Sequence, residues 1–370
     1  MTRNELKLIE PVIEEEEIKS VSSVLRSGWL TEGAITKQFE EEIKKYLGVK
    51  YAVAATSCTT ALELSLRALG IGPGDEVIVP DFTHPATANI VEWIGAKPVL
   101  VDVDSFSYNI DPAEVKKAIT KKTKCIIPVS WGGNPLDMKP LSDLKEEHGL
   151  AVVEDAACSL GAEFDGKMTG TMADITCFSF HPRKIVTSGE GGMAVTDDRA
   201  LAEKISSMKN FGMRIENGKR MFIQLGTNYK LSDVLSAIGL AQMKKIEKMI
   251  RRRIELANYY DKLLVGNDLV TPPERRKNTR HTCQTYSVYI HKESARDKII
   301  EDLRKASIET QIGTYALHLQ PSCKEARRVG RLERAEKLYM NLLALPLSHF
   351  MSMKDQELVI SQIEKSLHAS

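Results

Sequence analysis

The chain has 370 residues, of which 42% are hydrophobic and 27% charged, the make-up of an ordinary globular protein with material for one large and one smaller domain. Its 51 basic and 50 acidic side chains leave a net charge of +1, so no bulk electrostatic attraction draws it to nucleic acid or to an anionic membrane. No apolar run reaches transmembrane length, the polar start MTRNELKLIE does not read as a signal peptide, and the six cysteines are scattered without a CxxC pair, which together predict a cytoplasmic protein with reduced thiols and no metal site.

In chain order, Ile13, Ile18, Val21, Val24 and Leu25, set among four consecutive glutamates, predict an amphipathic helix from Ile13 to Arg26 that Ser27-Gly28 ends. The glycine-bracketed loop Gly28-Trp29-Leu30-Thr31-Glu32-Gly33 follows, with its tryptophan either tucked against the core or bordering a site. A second helix, Ala34 to Leu47, carries Phe39, Ile43 and Leu47 on one face. Short β-branched runs then alternate with helical patterns: Tyr51 to Ala54, Glu76 to Val79, Pro98 to Val101, Cys125 to Val129 and Ala151 to Val153. This rhythm predicts a largely parallel sheet with helices on both faces, and ligands of such sheets sit beyond the carboxyl ends of the strands. The residues just after each strand are therefore the candidates for chemistry.

After the first strand, Thr56-Ser57-Cys58-Thr59-Thr60 leads into a helix predicted from Ala61 to Leu69. Hydroxyls and free amides at a helix start suit an anion such as phosphate, and Ser57 or Thr59 suits a simple cap equally well. After the second strand stands Pro80-Asp81-Phe82-Thr83-His84, where the planar His84 either stacks on a flat ligand or caps the following helix. After the fifth comes Glu154-Asp155-Ala156-Ala157-Cys158. A carboxylate at a buried strand end is costly to desolvate unless a cation or donor meets it, so Asp155 needs a partner.

An alternating run from Ile175 predicts a buried strand that ends at His181-Pro182. Beyond Lys184, Thr187-Ser188-Gly189-Glu190-Gly191-Gly192 is too rich in glycine for a helix or regular strand and predicts a tight turn bringing backbone close to something bound. Lys184 is the candidate nucleophile, since a lysine amine turns reactive when burial or nearby positive charge lowers its pKa. Further on, Asn228 lies in a turn before a helix predicted to run unbroken from Ser232 to Leu264, whose Arg251-Arg252-Arg253 triplet reads as a solvated face. A domain boundary is expected there, giving units of residues 1–248 and 249–370. The second holds a strand from Thr285 to His291, helices Ala295 to Ala306 and Lys354 to His368, and a Leu317-His318-Leu319-Gln320-Pro321 segment.

The stretch CFSFHPRKIVTSGEGG around Lys184 resembles the lysine motif of the DegT/DnrJ/EryC1/StrS family of sugar aminotransferases, and the resemblance extends from the GWLTEG loop to the C-terminal helices. It implies the aspartate-aminotransferase-like fold type I, an α/β large domain with a mostly parallel sheet plus a smaller C-terminal α+β domain. It also implies the cofactor pyridoxal 5'-phosphate, held by Lys184, which would release it to an amino donor and then shuttle a proton at the substrate carbon. Carried over residue by residue, Asp155 meets the pyridine nitrogen, Ser57, Cys58, Thr59 and Ser179 bind the phosphate, and His84 takes a stacking position more often held by Phe, Tyr or Trp. Cys158 stands where the family often has Gln or His near the phenolic oxygen. Asn228 matches an asparagine that reaches the cofactor phosphate of the partner subunit, which implies a homodimer with composite sites. Trp29, Thr31, His181, Tyr315 and His318 match substrate-side positions. Ser130-Trp131-Gly132-Gly133-Asn134-Pro135 replaces the family's HLYG-x-P, which implies altered substrate contacts. The implied reaction moves an amino group from L-glutamate to a keto group of a nucleotide-activated sugar, as in polysaccharide biosynthesis. A cyclitol or other cyclic ketone is the alternative substrate, and a non-catalytic regulator of the same fold the alternative class.

Overall fold

The computed structural model describes residues 5–292 and 294–368. An eight-stranded sheet forms its centre, in the spatial order Tyr51–Ala55, Gly192–Thr196, Ile175–Ser179, Ala151–Asp155, Thr123–Ile126, Glu76–Pro80, Lys97–Val101 and Arg327–Arg328. Gly192–Thr196 is antiparallel to both of its neighbours, and the other pairings are parallel. Residues 180–191, which join Ile175–Ser179 to Gly192–Thr196, form no helix to carry a crossover, and the chain returns antiparallel beside the strand it left. That segment carries Lys184.

Both faces of the sheet are covered, so its strands read as continuous apolar runs, and every residue of Glu76–Pro80 and Gly192–Thr196 is buried. The pleat sends alternate side chains to opposite cores. Val53 and Ala55 join Leu62, Val77 and Val153 on one side, while Ala52 and Ala54 join Phe39, Ile43 and Phe178 on the other.

A second, antiparallel sheet of four strands runs in the order Val270–Thr271, Tyr286–Ile290, Leu342–Leu345, Gln311–Ile312. It has its own core of Leu256, Tyr260, Tyr286, Ile299 and Val359, drawn from the sheet and from helices Ile246–Leu263, Ala295–Lys305 and Met353–His368. The chain beyond residue 249 does not stay with this sheet. Tyr315–Ala316 pairs with Phe82–Thr83, and Arg327–Arg328 adds the edge strand to the large sheet. Among the described residues no helix is long and apolar enough to cross a membrane.

Two expectations are corrected. The helix expected from Ser232 to Leu264 is two helices, Asp233–Met243 and Ile246–Leu263, separated at Lys244-Lys245. The break coincides with anchoring to the N-terminal segment: Lys245 Nζ binds Glu14 and Glu17, and the Gln242 amide donates to the carbonyl of Val12. Nor is the arginine triplet a solvated face throughout. Arg253 is buried and its guanidinium donates to the carbonyls of Cys283 (3.0 Å), Leu347 (2.9 Å) and Gln284 (2.7 Å). Burial lowers its pKa to about 10, and the three carbonyls meet the donors that water would otherwise take.

Candidate active site

The turn that carries Lys184 is built on glycine. Phe180 still pairs with Gly191 (N to O 2.9 Å), Lys184 N donates to the His181 carbonyl at 2.8 Å, and Gly189 adopts the left-handed region at φ 86°. Gly192 is required by close approach: a Cβ there would stand 2.2 Å from the Ser57 carbonyl carbon and 2.4 Å from Cys58 N. Gly192 is also the register partner of Ser179. One glycine thus brings Ser57, Cys58 and Ser179 into the same corner.

Ser57 caps the helix Cys58–Ala68, which starts three residues before the position expected from its apolar pattern. Its hydroxyl accepts from Thr60 N at 3.1 Å while Thr60 Oγ1 accepts from Ser57 N at 3.0 Å. The capping reading therefore holds. It leaves the amides of Cys58 and Thr59 without partners among the described residues, available to an anion.

Asp155 ends its strand buried. Its Oδ2 accepts from Thr87 Oγ1 at 2.8 Å, its Oδ1 from Ala157 N at 3.2 Å, and the Cys58 thiol lies 3.9 Å from Oδ1. Among the described residues no cation is within ion-pair distance of it. Neutral donors alone leave such a carboxylate open to a positively charged group. Thr87 was not singled out from the sequence, because a threonine in the small-residue run ATAN reads as filler. The neighbouring Glu154 faces the other way, onto Ser130 Oγ (2.5 Å) and Thr176 Oγ1 (3.3 Å), and burial pushes its carboxyl up to about 7.

Lys184 Nζ donates to Cys158 Sγ at 3.1 Å, so the residue that replaces the family's Gln or His is seated on the lysine. Burial acts to lower the amine's pKa, but Cys158, Cys58 and Asp155 outweigh it, and the pKa lies above the ordinary lysine value. A raised pKa favours the protonated amine, so burial by itself does not pre-activate Lys184. His84 has an exposed ring whose Nδ1 accepts from Ala86 N at 3.2 Å, a cap; the charges of Asp155, Lys184 and His181 all reach that ring. Tyr315 faces it edge-on at 6.3 Å. The His181 Nδ1 accepts from Arg183 N at 3.2 Å. His318 is turned onto Asp81.

Trp29, Thr31 and Asn228 belong to a different patch. Thr31 O accepts from Asp233 N at 3.4 Å, and the Asp233 carboxylate in turn takes the amides of Gly33, Ile35 and Thr36. Asn228 is exposed and bridges to Asn210, and Trp29 is 60% exposed. Phe222 and Leu225 are exposed in the same stretch of chain as Asn228. Thr56 N donates to the Tyr229 carbonyl at 3.1 Å, which ties this patch to the turn before Ser57. The altered Ser130-Trp131 pair is not offered to a ligand as expected. Trp131 is buried against Phe82 and Tyr108, with ring centroids 5.7 and 5.2 Å away, and Ser130 is spent on Glu154.

Over residues 11–364 the sequence matches the DegT/DnrJ/EryC1/StrS aminotransferase family. The chain belongs to that family. It is a pyridoxal-phosphate-dependent aminotransferase of the aspartate-aminotransferase-like fold. It is similar to GDP-perosamine synthase of Caulobacter vibrioides, at 36% identity over 362 residues that cover 96% of this chain and 97% of that one. Among solved structures, Helicobacter pylori PseC, an aminotransferase involved in the biosynthesis of pseudoaminic acid, matches with a TM-score of 0.94 and 28% identity over 99% of this aminotransferase and 100% of that chain. The PLP form of Spr1654 from Streptococcus pneumoniae matches with a TM-score of 0.91 and 28% identity over 98% of each chain. The donor set of this aminotransferase fits the cofactor: a primary amine for an aldehyde, a buried carboxylate without a counter-cation for a protonated ring nitrogen, and unpaired amides at a helix start for a phosphate.

Proposed function

We propose that this aminotransferase moves an amino group from L-glutamate to a keto group of a nucleotide-activated sugar, in the cytoplasm, as a homodimer with composite active sites. The observation that carries the reading is the end-to-end likeness to GDP-perosamine synthase, named for an amino sugar linked to a nucleotide.

Bound pyridoxal phosphate supplies an aldehyde that bonds to primary amines and a ring that takes up electron density. In this reading Lys184 Nζ holds the cofactor at rest and, once released, moves a proton at the carbon being aminated. Asp155, oriented by Thr87, holds a proton on the ring nitrogen. The Cys58 and Thr59 amides, with the Ser57 and Ser179 hydroxyls, would hold the phosphate, and His84 would lie beside the ring. Cys158 accepts the Lys184 N–H and so orients the amine. His181 and Tyr315 border the substrate, while Trp29, Thr31 and Asn228 serve the partner's site from their exposed patch.

The test uses purified holoenzyme. L-Glutamate alone is expected to change the cofactor's absorbance, and keto-deoxyhexoses linked to GDP, UDP or dTDP are then expected to restore it while gaining an amine detectable by mass spectrometry. Lys184→Ala should fold, yet borohydride should fix no pyridoxyl group to it. Amination of an unlinked cyclic ketone in place of every nucleotide-linked one would overturn the sugar-nucleotide reading. A pyridoxyl group fixed to another lysine would remove Lys184 from its role.

A further inference from the structure

The segment 313–320 crosses from the small sheet to the large one. It leaves Gln311–Ile312, where Gly313 N donates to Leu342 O at 3.2 Å, and pairs through Tyr315–Ala316 with Phe82–Thr83, next to His84. It then meets Asp81 three times. Leu317 N donates to the Asp81 carbonyl at 2.8 Å, His318 N to Oδ1 at 2.8 Å, and His318 Nδ1 lies 2.6 Å from Oδ2. Asp81 is itself fixed in the large sheet, its N–H donating to Val101 O at 2.8 Å. Its side chain is fully buried and that of His318 is 8% exposed, so the pair is shielded from water and salt. A histidine committed in this way has one nitrogen left, and that one faces Glu336 at 3.8 Å.

We propose that Asp81 and His318 are positioning residues: their ion pair fastens the 313–320 segment to the strand end that carries His84 and thereby sets Tyr315 against the active site. The inference rests on the proposed placement of His84 and Tyr315 at that site. It replaces the substrate-facing role expected for His318, because its side chain is occupied by Asp81.

The pair makes the fastening depend on pH. The bond to Asp81 holds the His318 pKa above the ordinary histidine value, against burial and Arg328, with Glu336 acting in the same direction as Asp81. Burial raises the Asp81 carboxyl above its ordinary value, His318 acts to lower it, and Asp102 adds a like charge that raises it further. The fastening is lost as pH rises through the raised His318 value, and at the acid end it is lost again as pH falls through the range of Asp81, whose carboxyl burial also holds above its ordinary value.

Hydrogen–deuterium exchange of the holoenzyme tests this. After correction for intrinsic exchange, the amides of 313–320 should lose protection in Asp81→Asn by at least about tenfold, the factor equivalent to about 1.4 kcal/mol, while Tyr286–Ile290 stays unchanged. In the wild type, protection of 313–320 should fall as pH rises above the ordinary histidine pKa of about 6.5. His318→Asn keeps a neutral donor near the Nδ1 position; it should give intermediate protection without that pH dependence, and His318→Ala should behave as Asp81→Asn. The wild-type rate of the cofactor's absorbance change with L-glutamate, taken relative to that of His318→Asn at each pH so that the proton steps common to both cancel, should fall along the same curve. Unchanged protection in the variants, a pH dependence of protection that survives in His318→Asn, or a rate ratio that does not change with pH would overturn the proposal. Should Asp81→Asn fail to fold, His318→Asn decides alone. A wild type that ignores L-glutamate refutes that donor, whereas the exchange results judge the pair independently.

Discussion

Thr87 Oγ1 donates to Asp155 Oδ2 at 2.8 Å, so the carboxylate at the strand end is oriented by the helix behind His84. The hydroxyl occupies one oxygen and leaves the other to a backbone amide and a distant thiol, which fixes the plane in which a cation can be met. Asp155→Asn should still bind pyridoxal phosphate but transfer amino groups on the order of a hundredfold more slowly or worse, because an amide cannot keep a ring nitrogen protonated. Thr87→Val should lose roughly 10- to 100-fold, the worth of one hydrogen bond to a charged acceptor at about 1.5 to 3 kcal/mol. Single-turnover rates with L-glutamate check both, and a near-normal Asp155→Asn rate would refute the role.

Gly192→Ala sets a methyl against the Ser57 peptide, backbone that cannot yield as a side chain would. Overpacking of this kind costs about 1 to 3 kcal/mol, and here the helix start that faces the phosphate must move with it. Cofactor affinity should fall along with urea stability. Gly72→Ala, whose added Cβ would approach only the Ile94 carbonyl at 3.9 Å and whose φ, like that of Gly192, lies outside the left-handed region, is the control for the loss of glycine itself.

Arg253→Met should destabilise the fold by several kcal/mol, since three buried carbonyls lose their donor at about 1 to 3 kcal/mol each before relaxation. Arg252→Met, where the side chain is a third exposed, should cost less. Urea midpoints at fixed pH distinguish them. Equal losses would mean that burial of Arg253 contributes nothing beyond its neighbour.

Asn228 is exposed in a stretch that also exposes Phe222 and Leu225, and Tyr229 beside it is bonded to the turn before Ser57. If that patch serves a partner's site, inactive Lys184→Ala and Asn228→Ala chains refolded together should form heterodimers with one intact site and recover activity. Asn228→Ala must first prove impaired alone, through a loss of about 1.5 to 3 kcal/mol of phosphate binding. Verified heterodimers without activity, or a fully active monomer in sedimentation, would exclude the shared site.

The local chemistry of the site was legible in the sequence. The Lys184 turn follows from proline and glycine around a buried strand, and Asp155 follows from a carboxylate that a strand end cannot bury alone. The α/β rhythm predicted the sheet for the same reason, since strand and helix periodicities are properties of neighbouring residues. Arg253 was half legible: it lies on the stripe of Ile246, Met249, Ile250, Leu256 and Tyr260, where a buried cation was there to be suspected. Which carbonyls meet it depends on residues 30, 31 and 94 positions away, and no periodicity encodes those. The break at Lys244-Lys245 was hidden because the apolar stripe continues through it, while anchoring to Glu14 and Glu17 is a contact across more than 200 residues. Thr87 on Asp155, Cys158 on Lys184 and His318 on Asp81 were decided in the same way by tertiary packing. A side chain's partner depends on which elements lie side by side, and only the assembled sheets set those distances.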